Sequence, residues 1–200
     1  MKETIKWGIL GTGTIAKKFC TGLTSIADAE IYAVGSRSQE SADRFAQQFS
    51  IPKAYASYEA LANDPDVDVI YIATPHTLHM ENALLCLSHN NPVLCEKPFA
   101  VNASQAAKVF DLARQKNLFV MEAFWPRFQP VNREVYRLVN EDHLIGDIKM
   151  MKVDFVKVED WPMNTASTTS TWLAVPCWIW ASMSSPTPPA FWVLIPAKFI

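Results

Sequence analysis

Short apolar runs and helical stripes alternate along the first 122 residues of the chain. Apolar runs suited to buried strands occupy residues 5–10, 30–34, 67–73, 93–95 and 118–121. Between these runs, apolar residues recur every three or four positions, which predicts helices at 15–26, 42–49, 58–62, 80–88 and 102–115. Asn102 with Gln105 predicts a capping box for the last of these helices. This order of elements predicts an α/β fold with a doubly wound parallel sheet.

The first strand ends in a glycine-rich turn that leads into a helix. Gly11 permits the tight turn, Gly13 lets the backbone approach a pyrophosphate, and Ala16 allows close packing of the helix on the strand. The unpaired N–H groups and the dipole of the helix N-terminus attract anions. An ordinary glycine turn without a ligand is the alternative. The residues predicted to contact a dinucleotide are Gly11, Thr12, Gly13, Thr14 and Ile15.

The end of the second strand indicates which cofactor binds. An NAD site places an acidic residue here, about twenty residues past the glycines, to bind the ribose 2′-hydroxyl. The chain has Ser36 and Arg37 instead. Ser36 can hydrogen-bond a 2′-phosphate, and Arg37 can pair with it and stack on adenine. The pair therefore favours NADP over NAD, although an Arg on a loop can also be merely solvated.

Polar residues also follow the next two strands. Ligands bind beyond the carboxyl ends of strands in such sheets, so a loop with Thr74, Pro75, His76 and His79 is expected to border the nicotinamide. Each histidine can instead be a hydrogen-bonded structural group. Glu96, Lys97 and Pro98 follow the next strand. A cis bond before Pro98 is expected to aim Lys97 into the cleft, where its ammonium would polarise a substrate oxygen.

Four sequence motifs occur together in this chain. They are G-T-G-T-I-A at 11–16, T-P-H-T-L-H at 74–79, E-K-P-F at 96–99 and M-E-A-F-W-P-R-F-Q-P at 121–130. With these motifs the chain resembles the Gfo/Idh/MocA family of glucose-fructose oxidoreductases and inositol dehydrogenases. The resemblance is greatest to the dihydrodiol and D-xylose dehydrogenase branch of that family.

The resemblance implies a Rossmann domain, here 1–122, and then an antiparallel α+β substrate domain that is incomplete and spans 123–164. It implies that Lys97 is catalytic and contacts both the nicotinamide ribose and the substrate. It also implies that Trp125 and Arg127 line the substrate cleft, whereas an aromatic cluster can equally be core. A homo-oligomer is implied, with its usual dimer surface missing from the readable sequence.

The composition argues against several classes of partner, namely nucleic acid, metal ions and membranes. The net charge of −2, without a basic cluster, argues against nucleic-acid binding. Four cysteines without metal-ligand spacing predict reduced thiols and no metal site. The absence of a signal peptide before the first strand, and of an apolar run of about twenty residues, predicts a cytoplasmic protein that does not span a membrane.

Residues 165–200 do not continue the pattern. From Trp161 onward Lys198 is the only charged residue, and tryptophan and proline crowd together without an amphipathic period. Read one base out of frame, the codons of residues 177–181 spell Leu-Asp-(Leu or Met)-Gly. The resemblance implies G-G-A-L-L-D-L-G-I-Y in this region. A frameshift between about Asn164 and Trp172 is therefore expected, and it removes the acid/base Tyr or His of that motif.

The expected function is hydride transfer between NADP and a hydroxyl-bearing carbon of a sugar or cyclic diol, impaired in this chain by the altered tail. One alternative is a nucleotide-binding module without turnover. Another is a regulator, since the resemblance extends to a non-enzymatic repressor, but the E-K-P motif favours enzyme ancestry.

Overall fold

A computed structural model of the chain describes residues 4–148, residue 150 and the backbone of 193–194. The chain forms two compact units. One comprises Met1–Ala123 with Trp192–Ile200, and the other comprises Phe124–Phe191. The sheet belongs to the first unit.

Strands and helices alternate in the first unit as predicted. The strands are β1 (Ile5–Leu10), β2 (Ala29–Gly35), β3 (Lys53–Tyr55), β4 (Val69–Ile72), β5 (Val93–Cys95), β6 (Val120–Glu122) and β7 (Val193–Leu194). The helices are α1 (Thr14–Leu23), α2 (Gln39–Phe49), α3 (Tyr58–Ala62), α4 (His79–Ser88), α5 (Ala103–Lys116) and, in the second unit, α6 (Pro130–Tyr136). Short 3₁₀ turns lie at His76–Leu78 and Trp125–Phe128, and a π-helical turn at Arg137–Glu141 follows α6.

The sheet has the strand order β3-β2-β1-β4-β5-β6-β7. Strands β1 to β6 pair in parallel, and β7 adds an antiparallel edge beside β6. Strands β2 and β3 are added on one side of β1, and β4, β5 and β6 on its other side. The junction between β1 and β4 is therefore the topological switch point. The predicted doubly wound parallel sheet is confirmed. Of the substrate domain predicted at 123–164, residues 149 and 151–164 lie outside the described residues.

Consecutive strand residues bury their side chains on opposite faces of the sheet. Leu10, Ile70 and Ile72 pack with residues of α3, α4 and α5 on one face. Ile9 and Tyr71 pack with residues of α1 and α2 on the other. Because both faces are covered, the strands read as continuous apolar runs rather than as alternating ones. This arrangement holds the carboxyl ends of the strands at one edge.

Two local features differ from the prediction. Strand β3 was missed, because three residues after Pro52 are too few for a strand pattern. The predicted α1 stripe is wrong at Ile15 and Ile26, which are 36% and 49% exposed, and Ile26 lies beyond the helix end. Helix α1 does bury Leu23 of that spacing, together with Ala16 and Cys20, whose small side chains let the helix approach the sheet closely.

The capping box of α5 is half confirmed. Asn102 Oδ1 accepts the backbone N–H of Gln105 at 2.9 Å, as predicted. Gln105 Oε1 accepts from the N–H of Val101 at 3.1 Å rather than from that of Asn102. The reciprocal bond therefore lies one residue earlier than in the usual capping box.

Candidate functional site

The predicted site residues of the first unit lie on loops at the carboxyl edge of the sheet. Backbone hydrogen bonds tie these loops together where the strands end. The N–H of Gly11 donates to Gly35 O at 2.9 Å, and the N–H of Ala73 donates to Leu10 O at 2.9 Å. The N–H of Glu96 donates to Ile72 O at 3.0 Å. The loops after β1, β2, β4 and β5 therefore share one edge, at the switch point where α/β sheets bind ligands.

The two glycines of the first turn differ in what a side chain would meet. Gly11 has a φ of +105°, and a Cβ there would lie 3.0 Å from the carbonyl oxygen of Ala73. Gly13 has an ordinary φ of −74°, and a Cβ there would meet nothing within 4 Å. Gly11 is thus required by the fold itself. Gly13 leaves open space beside the backbone.

The N-terminus of α1 is open. Gly13 is its N-cap residue and supplies no side-chain cap, and the first turn carries no acidic residue. Gly13, Thr14 and Ile15 are exposed, and Thr12 is partly exposed, whereas Ala16 is fully buried. The first-turn N–H groups keep the positive end of the helix dipole available for an anion.

The end of β2 presents one buried and one exposed polar side chain. Ser36 is buried, and its N–H donates to Tyr55 O at 3.0 Å. Arg37 is exposed and lies near enough to Tyr58 to act on its pKa, which burial raises and the Arg37 charge opposes. Residue 38, a serine, caps α2 through its side chain. Arg37 is therefore an exposed cation just past the strand end, two residues after the Gly35 carbonyl that accepts from the Gly11 N–H.

A cavity of about 250 Å³ lies beside the glycine turn. It is lined by Thr12, Lys17, Ser41, Arg44, Phe45 and Gln48. Lys17 and Arg44, the two basic residues of this lining, are not among the predicted site residues. The spacing of 41, 44 and 48 on one face of α2 could have indicated Arg44, whereas Lys17 lies on α1 and has no such signal. Arg44 pairs with Glu40 one turn earlier, and both side chains are largely exposed.

A second cavity, of about 290 Å³, lies between the α3–β4 and α4–β5 loops. Its lining includes Asn63, Asp64, His89 and Asn91. These loops precede β4 and β5, so the cavity is at the amino edge of the sheet, away from the glycine turn. Although it is the larger of the two, it does not adjoin the predicted site.

The loop after β4 is fixed by its own helix. His79 is buried, with Nδ1 2.8 Å from Pro98 O and Nε2 2.9 Å from Thr74 O. Burial lowers the pKa of His79, although both carbonyl contacts oppose this. Asn82 donates from Nδ2 to Thr74 Oγ1 at 2.9 Å, and both side chains are buried. His79 therefore links the loop after β4 to the loop after β5.

His76 and Pro75 lie at the start of the same loop, partly exposed, with His76 opening the 3₁₀ turn. Of the two histidines, His79 has the hydrogen-bonded structural environment that was the alternative to ligand contact. His76 has the more accessible position. A role for either in binding remains a prediction.

The turn after β5 carries Lys97. The Lys97–Pro98 peptide bond is cis, as predicted. Tyr71 donates its hydroxyl to Glu96 Oε1 at 2.6 Å, and the Lys97 N–H donates to Glu96 Oε2 at 3.1 Å. The Tyr71 ring stacks on Phe19 with centroids 3.7 Å apart. Both oxygens of the buried Glu96 carboxylate are thus used, one to anchor it to β4 and one to hold the Lys97 backbone.

Burial and neighbouring charges have opposite effects on the pKa of Lys97 in this turn. Burial lowers the pKa of Lys97, while the charges of Glu96 and Glu122 act in the other direction. Burial also raises the pKa values of Glu96 and Glu122. A lysine in such surroundings is a good hydrogen-bond donor to an oxygen, because its charge is only partly solvated.

Trp125 and Arg127 belong to the second unit, in the 3₁₀ turn that follows Phe124. Trp125 is 49% exposed and Arg127 is also exposed. Trp125 is therefore not a core residue of its unit, while a role for either residue in substrate binding stays a prediction.

Several predictions fall on other parts of the chain. Cys20, Cys86 and Cys95 are free and buried, in agreement with the reduced thiols expected, and Cys177 lies outside the described residues. The tail at 165–200, which is expected to be out of frame, also lies outside the described residues, apart from 193–194, which form the two-residue strand β7. Among the helices described, none is long and apolar enough to span a membrane.

Comparison with known proteins agrees with this geometry. Residues 5–124 match the Gfo/Idh/MocA family, described as an oxidoreductase family with an NAD-binding Rossmann fold. The chain is 45% identical over 152 residues to trans-1,2-dihydrobenzene-1,2-diol dehydrogenase of Xenopus laevis, covering 75% of this chain and 46% of that protein. The mouse enzyme of the same name is 45% identical over 153 residues, with 76% and 46% covered. The chain thus spans about half the length of these relatives.

Solved structures show the same fold. A 3-ketoreductase from Actinomadura kijaniata, in complex with NADP and TDP-benzene, superposes with a TM-score of 0.65 at 32% identity, over 69% of this chain and 42% of that one. Scyllo-inositol dehydrogenase from Lactobacillus casei superposes with a TM-score of 0.68 at 25% identity, over 74% and 44%. Sequence and fold together show that this chain belongs to the Gfo/Idh/MocA family of oxidoreductases.

Proposed function

We propose that this chain is the cofactor-binding part of an NADP-dependent dehydrogenase that acts on a hydroxyl-bearing carbon of a sugar or cyclic diol. The observation that carries the proposal is the convergence of an open glycine turn, a basic cavity and the Lys97 turn on one edge of the sheet. Relatives named as dihydrodiol dehydrogenases support the substrate class.

The residues at this edge fit a dinucleotide. A pyrophosphate is bound by backbone N–H groups at a helix N-terminus, and the uncapped start of α1 beside Gly13 offers such groups with open space. Gly11 to Ile15 would hold the pyrophosphate. Thr74, Pro75, His76, Glu96 and Pro98 border the nicotinamide end, with His79 behind them.

NADP is preferred over NAD in this proposal because the site offers cations where an NAD site offers a carboxylate. Ser36 and Arg37 would receive the 2′-phosphate. Lys17, Ser41 and Arg44 line the adjoining cavity and add two further cations to that side. The A. kijaniata ketoreductase was crystallised with NADP, which supports this choice.

Lys97 orients the reacting oxygen in the proposed reaction. When bound, the nicotinamide ring supplies the hydride acceptor. Lys97 would hydrogen-bond the substrate hydroxyl and stabilise the negative charge that grows on its oxygen as the proton leaves. A separate acid/base group must take that proton. On the frameshift hypothesis its Tyr or His is absent, so the chain as written binds NADP and turns over slowly or not at all.

A nucleotide-binding module without turnover is therefore the second candidate, favoured by the composition of residues 165–200. The substrate is a small molecule in either case. A homo-oligomer is proposed only for the complete family protein, since the usual dimer surface belongs to the part that this chain does not span.

Fluorescence titration with NADPH and NADH tests the proposal. NADPH is expected to bind more tightly, and Arg37→Ala should remove most of the difference because the 2′-phosphate loses its cation. Arg114→Ala is the matched control, since Arg114 is an exposed arginine on α5 that pairs with Asp111. Equal affinities for the two cofactors in the unaltered chain, or equal effects of both substitutions, would contradict the proposal.

A further inference from the structure

Glu122 is a partly buried carboxylate to which the proposed function gives no role. It is the last residue of β6 and lies in register with Cys95, the last residue of β5. The N–H of Ala123 donates to Cys95 O at 2.7 Å, so the ladder between the two strands continues past Glu122. The side chain is therefore held at the level where the Lys97 turn begins.

The carboxylate reaches across to that turn. Glu122 Oε1 accepts the N–H of Phe99 at 2.8 Å. Pro98 has no N–H, so the donors of the turn around it are those of Lys97 and Phe99. The Lys97 N–H is taken by Glu96 Oε2. Two carboxylates from different positions thus hold the backbone on either side of Pro98.

Glu122 also acts on the Lys97 ammonium through space. Its charge opposes the effect of burial on Lys97, together with that of Glu96. The other titratable groups near this turn are Tyr71 and Cys95 on the neighbouring strands and His76 and His79 on the loop and helix after β4. Lys97 and His76 both act on His79. Within the part of the chain that the structure describes, Lys97 forms no ion pair with a carboxylate. Among the described residues, the ammonium is therefore stabilised by the charges of Glu96 and Glu122 without a carboxylate in direct contact with it.

We propose that Glu122 is a positioning residue that fixes the Lys97 turn through the Phe99 N–H, with its carboxylate at the strand end from which that turn leaves. This inference rests on the proposed function, because it explains how Lys97 is prepared to bind a substrate oxygen. The two carboxylates anchor the turn to different strands. Glu96 anchors the turn to β4 through Tyr71, and Glu122 anchors it to β6.

Competitive acetylation of the 200-residue chain with acetic anhydride, read by mass spectrometry, tests whether the Glu122 charge acts on Lys97. The measurement needs neither cofactor nor turnover. Only the neutral amine reacts, so labelling at pH 8 reports how firmly Lys97 holds its proton. Exposed Lys108 on α5 is the internal reference. Glu122→Gln keeps an oxygen acceptor but removes the charge, so Lys97 should label roughly threefold to tenfold faster relative to Lys108. Glu59→Gln, which removes an exposed carboxylate on α3, should leave the ratio unchanged.

Amide hydrogen exchange tests the positioning part. The Phe99 amide should exchange at least roughly tenfold more slowly than a free loop amide in the unaltered chain. Glu122→Asp keeps the charge but shortens the reach, so it should speed Phe99 exchange while leaving Lys97 labelling nearer to the original rate. In Glu122→Gln the exchange rate of the Phe99 amide should stay unchanged, because the glutamine side chain still offers an oxygen that can accept this N–H.

An unchanged Lys97 ratio in a folded Glu122→Gln variant overturns the inference, and so does an unprotected Phe99 amide in the unaltered chain. If Glu122→Gln does not fold, Glu122→Asp carries the test, and unchanged Phe99 exchange in it is again a refutation. A failed NADPH titration alongside the expected labelling and exchange would remove the proposed function while leaving this contact network in place.

Discussion

Alanine substitutions at Gly11 and Gly13 separate the part of the turn that builds the fold from the part that binds. At Gly11 the backbone has a φ of +105°, and an added Cβ would lie 3.0 Å from Ala73 O and 3.2 Å from Ala73 C. Both are backbone atoms of the residue that follows β4, so they cannot rotate away as a side chain could. At Gly13 the φ is −74° and the space is open.

The expected magnitudes follow from these two environments. A non-glycine residue at such a φ costs about 1–3 kcal/mol, and the backbone contact adds to this, so Gly11→Ala should lower the free energy of unfolding by about 2–4 kcal/mol. With a urea slope of about 2 kcal/mol per molar, the midpoint falls by about 1–2 M. For Gly13→Ala the reduced entropy of the unfolded chain and the poorer N-cap offset each other, so stability should stay within about 1 kcal/mol.

Urea unfolding followed by circular dichroism, paired with NADPH titration, gives the comparison. Gly11→Ala should lose stability and binding together. Gly13→Ala should keep its stability yet lose at least roughly tenfold in NADPH affinity, because its methyl group enters the space needed by the pyrophosphate. Normal NADPH binding by Gly13→Ala would refute the assignment of the turn, and an unchanged urea midpoint for Gly11→Ala would refute the steric reasoning.

Three other measurements address different parts of the molecule. The Asp64 side chain is 1% exposed and accepts hydrogen bonds from Lys53, Tyr55 and the Asp66 N–H. These bonds hold the pKa of Asp64 below its usual range, although burial acts in the opposite direction. Asp64→Asn should therefore lower the free energy of unfolding by about 2–4 kcal/mol at pH 7. Because a lowered pKa stabilises the fold above the unfolded value, that difference should shrink as the pH falls below about 4, and a pH-independent difference would count against the network. Tyr71→Phe removes the hydroxyl that donates to buried Glu96, so the urea midpoint should report a loss of about 1–3 kcal/mol, and no loss would show that the contact is unimportant. Restoring the reading frame after about residue 164 should raise NADP reduction with D-xylose or a trans-dihydrodiol by about a hundredfold or more, while equal rates for both chains would show that the acid/base group was placed wrongly.

The fold was largely readable from the sequence because its signals are local. The buried runs of β1 and β4 and the helical spacing of α2 and α5 are continuous in the chain. Strand β3 was not readable, since its three residues become a strand only by pairing with β2. The stripe through Ile15 failed because helix packing followed the small residues Ala16 and Cys20 rather than the largest apolar ones.

The sequence predicted those parts of the candidate site whose residues are contiguous in the chain. The glycine turn and the Lys97 turn are each contiguous, so spacing alone indicated them. The basic cavity combines Lys17 on α1 with Arg44 on α2, and no contiguous pattern joins them. The contact between Glu122 and Phe99 likewise depends on strand register across 23 positions. Such pairs appear only after the sheet has been assembled.

The central claim is that the carboxyl edge of the sheet binds NADP. Backbone amide resonances of the ¹⁵N-labelled chain, followed during addition of NADPH, test it most directly. Shifts are expected for the non-proline amides at 11–16, 36–37, 74–79 and 97–99, while those of the amino-edge cavity at 63–67 and 89–91 stay unaffected. Shifts confined to the opposite edge of the sheet, or no saturable shift at the glycine turn, would contradict it.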